Sequence, residues 1–292
     1  MCIRDSCLAI IVLMYGSGIF APLVAPYGYN AQDLTKVKQG PRFSNPLGTA
    51  RLGRDMLTRV IYSLRTTVII TVISLVTGSL LLGITLGLLA GYFGRWLDGI
   101  IMRVGEVTAS FPDIFLVLII VATVKPRILT WVHTFEDSTG IDWIVRLGIV
   151  DYLVISLALA AFSWFGMARL VRGQVLQVRE NQYVEASRAI GSSTLRILAI
   201  HVLPNVISPV IVSISAGLAG IATAEIVLSW LGIGIQPPTP SLGVMIFENG
   251  NLSVLRSDPH LTLVPSGVLV VLLFTFNLLG DGINDAFNPR AR

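Results

Sequence analysis

The chain has 292 residues, of which 53% are hydrophobic and 13% charged, with a mean hydropathy of +0.76. Soluble domains carry about 25% charged residues, so this composition excludes a water-soluble globular protein and predicts an integral membrane protein. The net charge is +4, and the basic residues cluster at the ends of apolar segments, which favours membrane anchoring over nucleic-acid binding.

The N-terminal segment is apolar from Cys7 to Val24 and predicts a first transmembrane helix over residues 7–24. A cleaved signal peptide is the alternative, but Pro22 and Pro26 follow without a small-residue cleavage pattern, which favours retention. Residues 1–6 are expected to be a non-native prefix, because MCIRD matches a translated transposon end. The predicted transmembrane domain therefore covers residues 7–292.

The clearest apolar segment lies between Arg65 and Arg95 and contains a span over residues 66–90. Just before it, apolar residues at helical spacing over 56–64 predict an amphipathic helix in the membrane interface. Gly83, Gly87 and Gly91 recur at a spacing of four, so they predict a face on which another helix packs closely.

The third predicted span, residues 103–124, is interrupted by charge. Arg103, Glu106, Ser110 and Asp113 fall on one face of a continuous helix, which is either lining for a pathway or a solvated helix start. Residues 125–150 then predict a polar loop. Its acidic residues and His133 lack the paired spacing of metal ligands, so no metal site is expected.

A fourth span over residues 152–168 is followed by a polar interruption at 179–205. Residues 182–190 predict a short helix with Tyr183, Ala186 and Ile190 on one side, and with Glu185 and Arg188 paired. Gly191 ends this helix in a left-handed conformation, and Ser192 or Ser193 can cap a second helix over 194–202.

The last two predicted spans are residues 206–230 and 261–280. Glu225 and Ser229 lie four residues apart on one face of the fifth span. Glu225 is interpreted as a polar gate or as a contact to a partner, and the alternative is an interfacial glutamate that is hydrogen-bonded to backbone.

Four sequence blocks carry a resemblance to a known family. Glu185-Ala186-Ser187, Gly191 and Leu203-Pro204 resemble the EAA loop of permease subunits of ATP-binding-cassette (ABC) importers. Ser187 and His201 stand where that family usually has Ala and Ile. Residues 45–55 are similar to the GTD-x-x-GRD segment of its dipeptide, oligopeptide and nickel branch, with Ala50 in place of the Asp, and residues 228–245 and 277–290 resemble the same branch.

The resemblance implies an all-α type I importer permease with six transmembrane helices and a cytoplasmic coupling helix, in the inner membrane of a prokaryote. Residues 179–205, here named the EAA-like loop, would dock on an ATPase. The implied docking residues are Tyr183, Glu185, Ala186, Ser187, Arg188 and Gly191. The expected pathway or gate residues are Glu106, Ser110, Asp113, Glu225 and Ser229.

The same resemblance implies the partners. These are a second, homologous permease subunit, two ABC ATPase subunits and an extracytoplasmic substrate-binding protein. The chain has no phosphate-binding loop, so ATP and Mg²⁺ are expected on the ATPases, and no enzyme activity or cofactor is expected on this chain.

Di- or oligopeptides are the expected substrates, and nickel complexes, glutathione or sugars are alternatives. Two other classes of protein remain open. A secondary transporter would show internal repeats and broken helices, and the sequence shows no convincing repeat. The other class is a structural membrane scaffold, and only the charged residues of the third and fifth spans argue against it.

Overall fold

The computed structural model describes residues 2–140 and 143–287. Over these ranges the chain is helical, with two isolated β-bridges and no strand. Short helical turns occur at Ala21–Val24, Leu34–Lys36 and Trp143–Arg146. The remaining helices are α1 (Cys2–Ile19), α2 (Met56–Phe93), α3 (Arg95–Ala109), α4 (Asp113–Thr139), α5 (Ile149–Val178), α6 (Gln182–Ala189), α7 (Thr194–Trp230), α8 (Leu242–Asn249), α9 (Leu252–Ser257) and α10 (His260–Phe287).

Five of these helices, α2, α4, α5, α7 and α10, are long and apolar enough to cross a bilayer. The described apolar part of α1, Asp5–Ile19, is shorter, so the count of six spans stays a prediction. Residues 2–6 form the start of α1, and their non-native origin also stays a prediction. The predicted C-terminal motif residues Asn288, Pro289 and Arg290 lie outside the described residues.

Helix α2 begins at a side-chain cap. The Asp55 carboxylate accepts a 2.8 Å hydrogen bond from the Thr58 backbone N–H and another of 2.8 Å from the Asn45 side chain. The bond from Thr58 satisfies one of the free N–H groups at the start of the helix, so Asp55 supplies this cap without a side chain from Ala50. The structure corrects one prediction here, because residues 56–64 are the first turns of the span itself and not a separate interfacial helix.

The glycines of α2 form a close helix contact, and the partner is α5. A Cβ added at Gly83 would lie 2.7 Å from the Met167 Cβ atom, and one at Gly91 would lie 2.7 Å from the Val175 Cβ atom. Only glycine allows this approach, so the predicted packing face lies within the chain. Between Leu75 and Ile84 the helix has π-helical turns.

The third predicted span is divided in the structure. Helix α3 ends at Ala109 and α4 begins at Asp113, with Pro112 at the N-cap position. Proline disfavours a helical conformation in the residue before it, so the predicted kink is a complete break. Arg103 and Glu106 therefore lie on a different helix from Asp113, and the predicted common face does not form. The predicted loop over 125–150 is helical as far as Thr139, where Gly140 closes α4 in a left-handed conformation.

The loop between α1 and α2 is held against the start of α10. Lys38 Nζ lies 3.4 Å from the Asp258 carboxylate, and the Ser257 hydroxyl donates a 2.8 Å hydrogen bond to the same group. The bond from Ser257, together with Lys38, holds the pKa of Asp258 below its ordinary value. These contacts place the loop at the end of α2 that is farthest from the EAA-like loop.

Candidate docking loop and translocation pocket

Helix α6 forms the first part of the EAA-like loop. It runs from Gln182 to Ala189, and Gly191 follows with a φ of +82°, which is the left-handed conformation that the sequence predicts. A second helix starts at Thr194 after Ser193 at the N-cap position, although no side-chain hydrogen bond caps it. This second helix is the start of α7, which passes through π-helical turns at Ile197–Val202.

One face of α6 anchors it to the membrane helices. Val184 is fully buried and Ser187 nearly so. Val184 packs in an apolar cluster with residues from α5 and α7, which includes Val171, Val175 and Val202. Tyr183, Ala186 and Ile190, which the sequence places on one side of the helix, are all exposed.

The outward face carries large apolar side chains. Ile190 is 84% exposed and Leu195, on the next helix, is 77% exposed. Tyr183, Glu185, Ala186, Arg188 and Gly191 are also exposed, so the structure presents five of the six predicted docking residues on the surface. Ser187 faces inward, and its predicted docking role stays a prediction. Leu195 escaped the sequence reasoning, since no motif marks it.

Two arginines tie the EAA-like loop to the end of α2. The Arg179 guanidinium donates a 2.9 Å hydrogen bond to the Gly91 carbonyl oxygen. The Arg188 guanidinium donates a 3.3 Å bond to the Tyr92 hydroxyl and lies 5.5 Å from the centre of the Tyr92 ring. Among the ion pairs of the described residues, the predicted pair of Glu185 with Arg188 is absent, because Arg188 turns to Tyr92.

Glu225 is fully buried inside the chain. Its carboxylate accepts hydrogen bonds from the Thr67 hydroxyl at 3.1 Å, the Ser229 hydroxyl at 3.0 Å and the Ser241 hydroxyl at 2.8 Å. The alternative of an interfacial glutamate bonded to backbone does not match this geometry. The three donors instead join α2, α7 and the segment before α8 to one carboxylate.

A pocket of about 290 Å³, whose mostly apolar wall carries a few polar side chains, lies where α2, α4, α5 and α7 meet. We name it the serine pocket, after Ser79, Ser163 and Ser213 in its wall, and Asp113 lines it as well. Gly217 and Gly220 of α7 also line it, and a Cβ added at either would meet no atom within 4 Å. Small side chains therefore keep the pocket open.

The five predicted pathway residues do not come together. Asp113 lines the serine pocket, whereas Glu225 and Ser229 are hydrogen-bonded to each other in the interior of the chain. Glu106 lies on α3, where it pairs with Arg103 at 3.4 Å. The Ser110 hydroxyl bonds to the Glu106 carbonyl oxygen at 2.8 Å. Sequence reasoning missed the three serines of the pocket, because each lies in a different apolar span without a charged neighbour.

Two protein-family models match this sequence. Residues 83–292 match the model of the binding-protein-dependent transport system inner membrane component, and residues 7–41 match the N-terminal transmembrane domain of oligopeptide transport permease C. The chain belongs to this family of ABC importer permeases. It is accordingly a membrane-spanning transport subunit of the inner membrane, and the predicted assignment is confirmed.

Individual relatives agree with the family. The permease is 32% identical over 94% of its length to the dipeptide transport system permease protein DppC of Alkalihalophilus pseudofirmus, covering 81% of that protein. It is 34% identical over 98% of its length to the oligopeptide permease OppC of Mycobacterium bovis, covering 89% of it. The glutathione permease GsiD of Pectobacterium atrosepticum is 34% identical over 97% of this chain and is covered to 85%.

Solved structures support the fold. An inward-facing structure of the MetNI methionine ABC transporter has a chain that aligns with a TM-score of 0.54 at 18% identity. The alignment covers 80% of this permease and 98% of that chain. This likeness confirms the type I importer fold for the permease.

Proposed function

We propose that the permease imports di- or oligopeptides, and that its EAA-like loop receives the motion of an ABC ATPase and transmits it to the serine pocket. The observation that carries the proposal is the exposure of Ile190 and Leu195, two large apolar side chains of the EAA-like loop that are 84% and 77% exposed. Contiguous apolar surface that is exposed to water marks a protein interaction surface.

The EAA-like loop has one face packed on the membrane helices and another face open to a partner. Its inward face is fixed by Val184 in an apolar cluster, while its outward face presents Ile190 and Leu195 to the solvent. A helix that is packed on one side and exposed on the other can transmit a displacement to the membrane helices without unfolding. The ATPase, with its ATP and Mg²⁺, would contact this outward face.

The loop is connected to the serine pocket by three helices. Helix α5 enters the loop, α7 leaves it, and α2 is bonded to it through Arg179 and Arg188. All three helices also line the serine pocket. Motion of α6 would therefore act on three walls of the pocket together, as alternation between two packed arrangements requires.

The serine pocket suits a peptide chemically. Asp113 can attract a terminal ammonium group, and the hydroxyls of Ser79, Ser163 and Ser213 can exchange hydrogen bonds with amide groups. A second, homologous permease subunit would face this pocket and complete the pathway. An external binding protein would deliver the peptide. Because one relative is named for glutathione, substrate assays should include glutathione beside dipeptides.

The test is recovery of the ATPase with tagged permease. Ile190→Asp should reduce the recovered ATPase at least about tenfold, since central interface residues contribute about 2 kcal/mol or more. Leu34→Asp is the matched control, because Leu34 is also exposed but lies in the loop between α1 and α2. Equal ATPase recovery with both variants, while both insert in the membrane, would remove the docking role from this surface.

A further inference from the structure

A groove opens beside α2 at the end opposite the EAA-like loop. It has a volume of about 340 Å³ and lies between α2 and the first turns of α5. The two ends of α2 show at which side of the membrane the groove lies. Tyr92, near one end, contacts Arg188 of the EAA-like loop, whereas Arg65, near the other end, lines the groove.

The groove is polar at its mouth and apolar along its length. Tyr29, Tyr62 and Tyr152 line it together with Arg65. Ile69 and Ile73 follow on the same face of α2, one and two turns further into the apolar span, and Leu153 of α5 lies opposite. Tyrosines and arginines at the start of an apolar span mark the water boundary of a bilayer. The groove thus runs from the headgroup level into the hydrocarbon.

Arg65 has no counter-charge within the described chain. Its side chain is partly buried, yet over residues 2–140 and 143–287 it takes part in no ion pair and donates no hydrogen bond. By contrast, Arg59, less than two turns earlier on the same helix, bonds to Glu248 at 3.0 Å. A partly desolvated guanidinium without a partner favours an external anion.

We infer that this groove binds one anionic phospholipid, with its phosphate on Arg65 and an acyl chain along Ile69 and Ile73. Charge complementarity selects the headgroup, because the guanidinium can bond a phosphate through two N–H groups. The tyrosine hydroxyls add further donors at the mouth. Val72 and Val76 of α2 are exposed beyond the groove and continue its apolar surface into the bilayer.

This site is separate from the transport path. It shares no lining residue with the serine pocket and lies at the other end of α2 from the EAA-like loop. A bound lipid would hold α2 against α5 in the leaflet opposite the ATPase. The inference concerns lipid binding only and stands whether or not the transported substrate is a peptide.

The experiment is native mass spectrometry of the membrane-extracted complex that contains this chain, after delipidation and titration with phosphatidylglycerol or phosphatidylcholine. The unmodified complex should retain one phosphatidylglycerol in preference to phosphatidylcholine. Arg65→Gln should reduce the retained phosphatidylglycerol about fivefold, which corresponds to about 1 kcal/mol for a basic residue at an anionic membrane surface.

Two further variants make the result specific. Arg51→Gln removes the same charge from an exposed residue outside the groove, so it should keep the retention of the unmodified complex. Ile69→Trp leaves Arg65 in place but fills the groove, so it should lose the bound lipid as well. Equal retention by the Arg65 and Arg51 variants would overturn the inference. Lipid binding by the isolated chain but not by the complex would also overturn the inference, because the second permease subunit would then cover the groove.

Discussion

A single carboxylate, that of Glu225, holds three segments of the chain together. It lies in a transmembrane helix and is fully buried, so it can neither reach water nor snorkel to the interface. The hydroxyls of Thr67, Ser229 and Ser241 satisfy it. A buried carboxylate with several donors specifies one arrangement of the surrounding elements, since any other arrangement leaves polar groups without partners.

This geometry predicts a stability loss on truncation. Glu225→Ala should lower the free energy of unfolding in detergent by about 2 kcal/mol, because three hydroxyls lose their acceptor and a cavity forms. Glu225→Gln should cost less, since the amide keeps the shape and one acceptor oxygen. The measurement is chemical unfolding of the purified chain. Glu180→Ala serves as the control, as Glu180 is exposed and forms a surface ion pair with Arg179. A smaller loss for Glu225→Ala than for Glu180→Ala would contradict the interpretation.

Residue-scale sequence reasoning identified Glu225 but not its partners. A charged residue in an apolar span is visible in one dimension, and so is Ser229 one helical turn later. Thr67 and Ser241 are far away in sequence, and hydroxyl residues are common in spans where they bond to their own helix. Their bonds to Glu225 depend on how α2 and α7 pack, which no local pattern records.

At the scale of elements, the glycine face of α2 sets the distance to α5. Gly87→Ala should destabilise the chain by about 1 to 3 kcal/mol, because the added Cβ would lie 2.7 Å from the Ala168 carbonyl oxygen. Thermal unfolding of the detergent-solubilised chain measures the effect.

The control for this prediction is also a helical glycine. A Cβ added at Gly173 on α5 would meet no atom within 4 Å, so Gly173→Ala should be neutral or stabilising by up to about 1 kcal/mol through helix propensity. If both variants were equally stable, the close contact between α2 and α5 would not limit the packing.

The elements themselves were predicted unevenly. The glycine spacing of α2 is a local pattern, and it correctly indicated close packing. The break between α3 and α4 appeared in the sequence only as a kink at Pro112, because hydropathy over 103–124 cannot distinguish one helix from two. Residues 125–139 were predicted as a loop since they are polar, yet α4 continues through them. Polarity reports the surroundings of a segment and not its backbone conformation.

At the scale of the whole molecule, the EAA-like loop and the serine pocket occupy different levels of the same helices. The loop was found from its motif, because its short helix and Gly191 are contiguous in sequence. The pocket was not, because its wall combines residues of four helices, from Leu75 to Ala224, that are up to 149 positions apart. Function at this scale depends on whether movement of the loop changes the pocket that these helices share.

The serine pocket can be tested by filling it. Gly217→Phe places a ring in the pocket, where a Cβ would meet no atom within 4 Å, so the chain should fold and still recover the ATPase. Peptide uptake into vesicles that contain the complete importer should fall at least about tenfold, which is a rise of about 1.4 kcal/mol in the transport barrier, because the ring occupies the volume that the peptide would need. Gly267→Phe is the matched control, because this glycine of α10 is equally open but does not line the pocket. If both variants transport at the unmodified rate, substrate does not pass through the serine pocket. If both lose transport equally, the loss reflects damage to the helices, and the pathway must be sought on another face of α7.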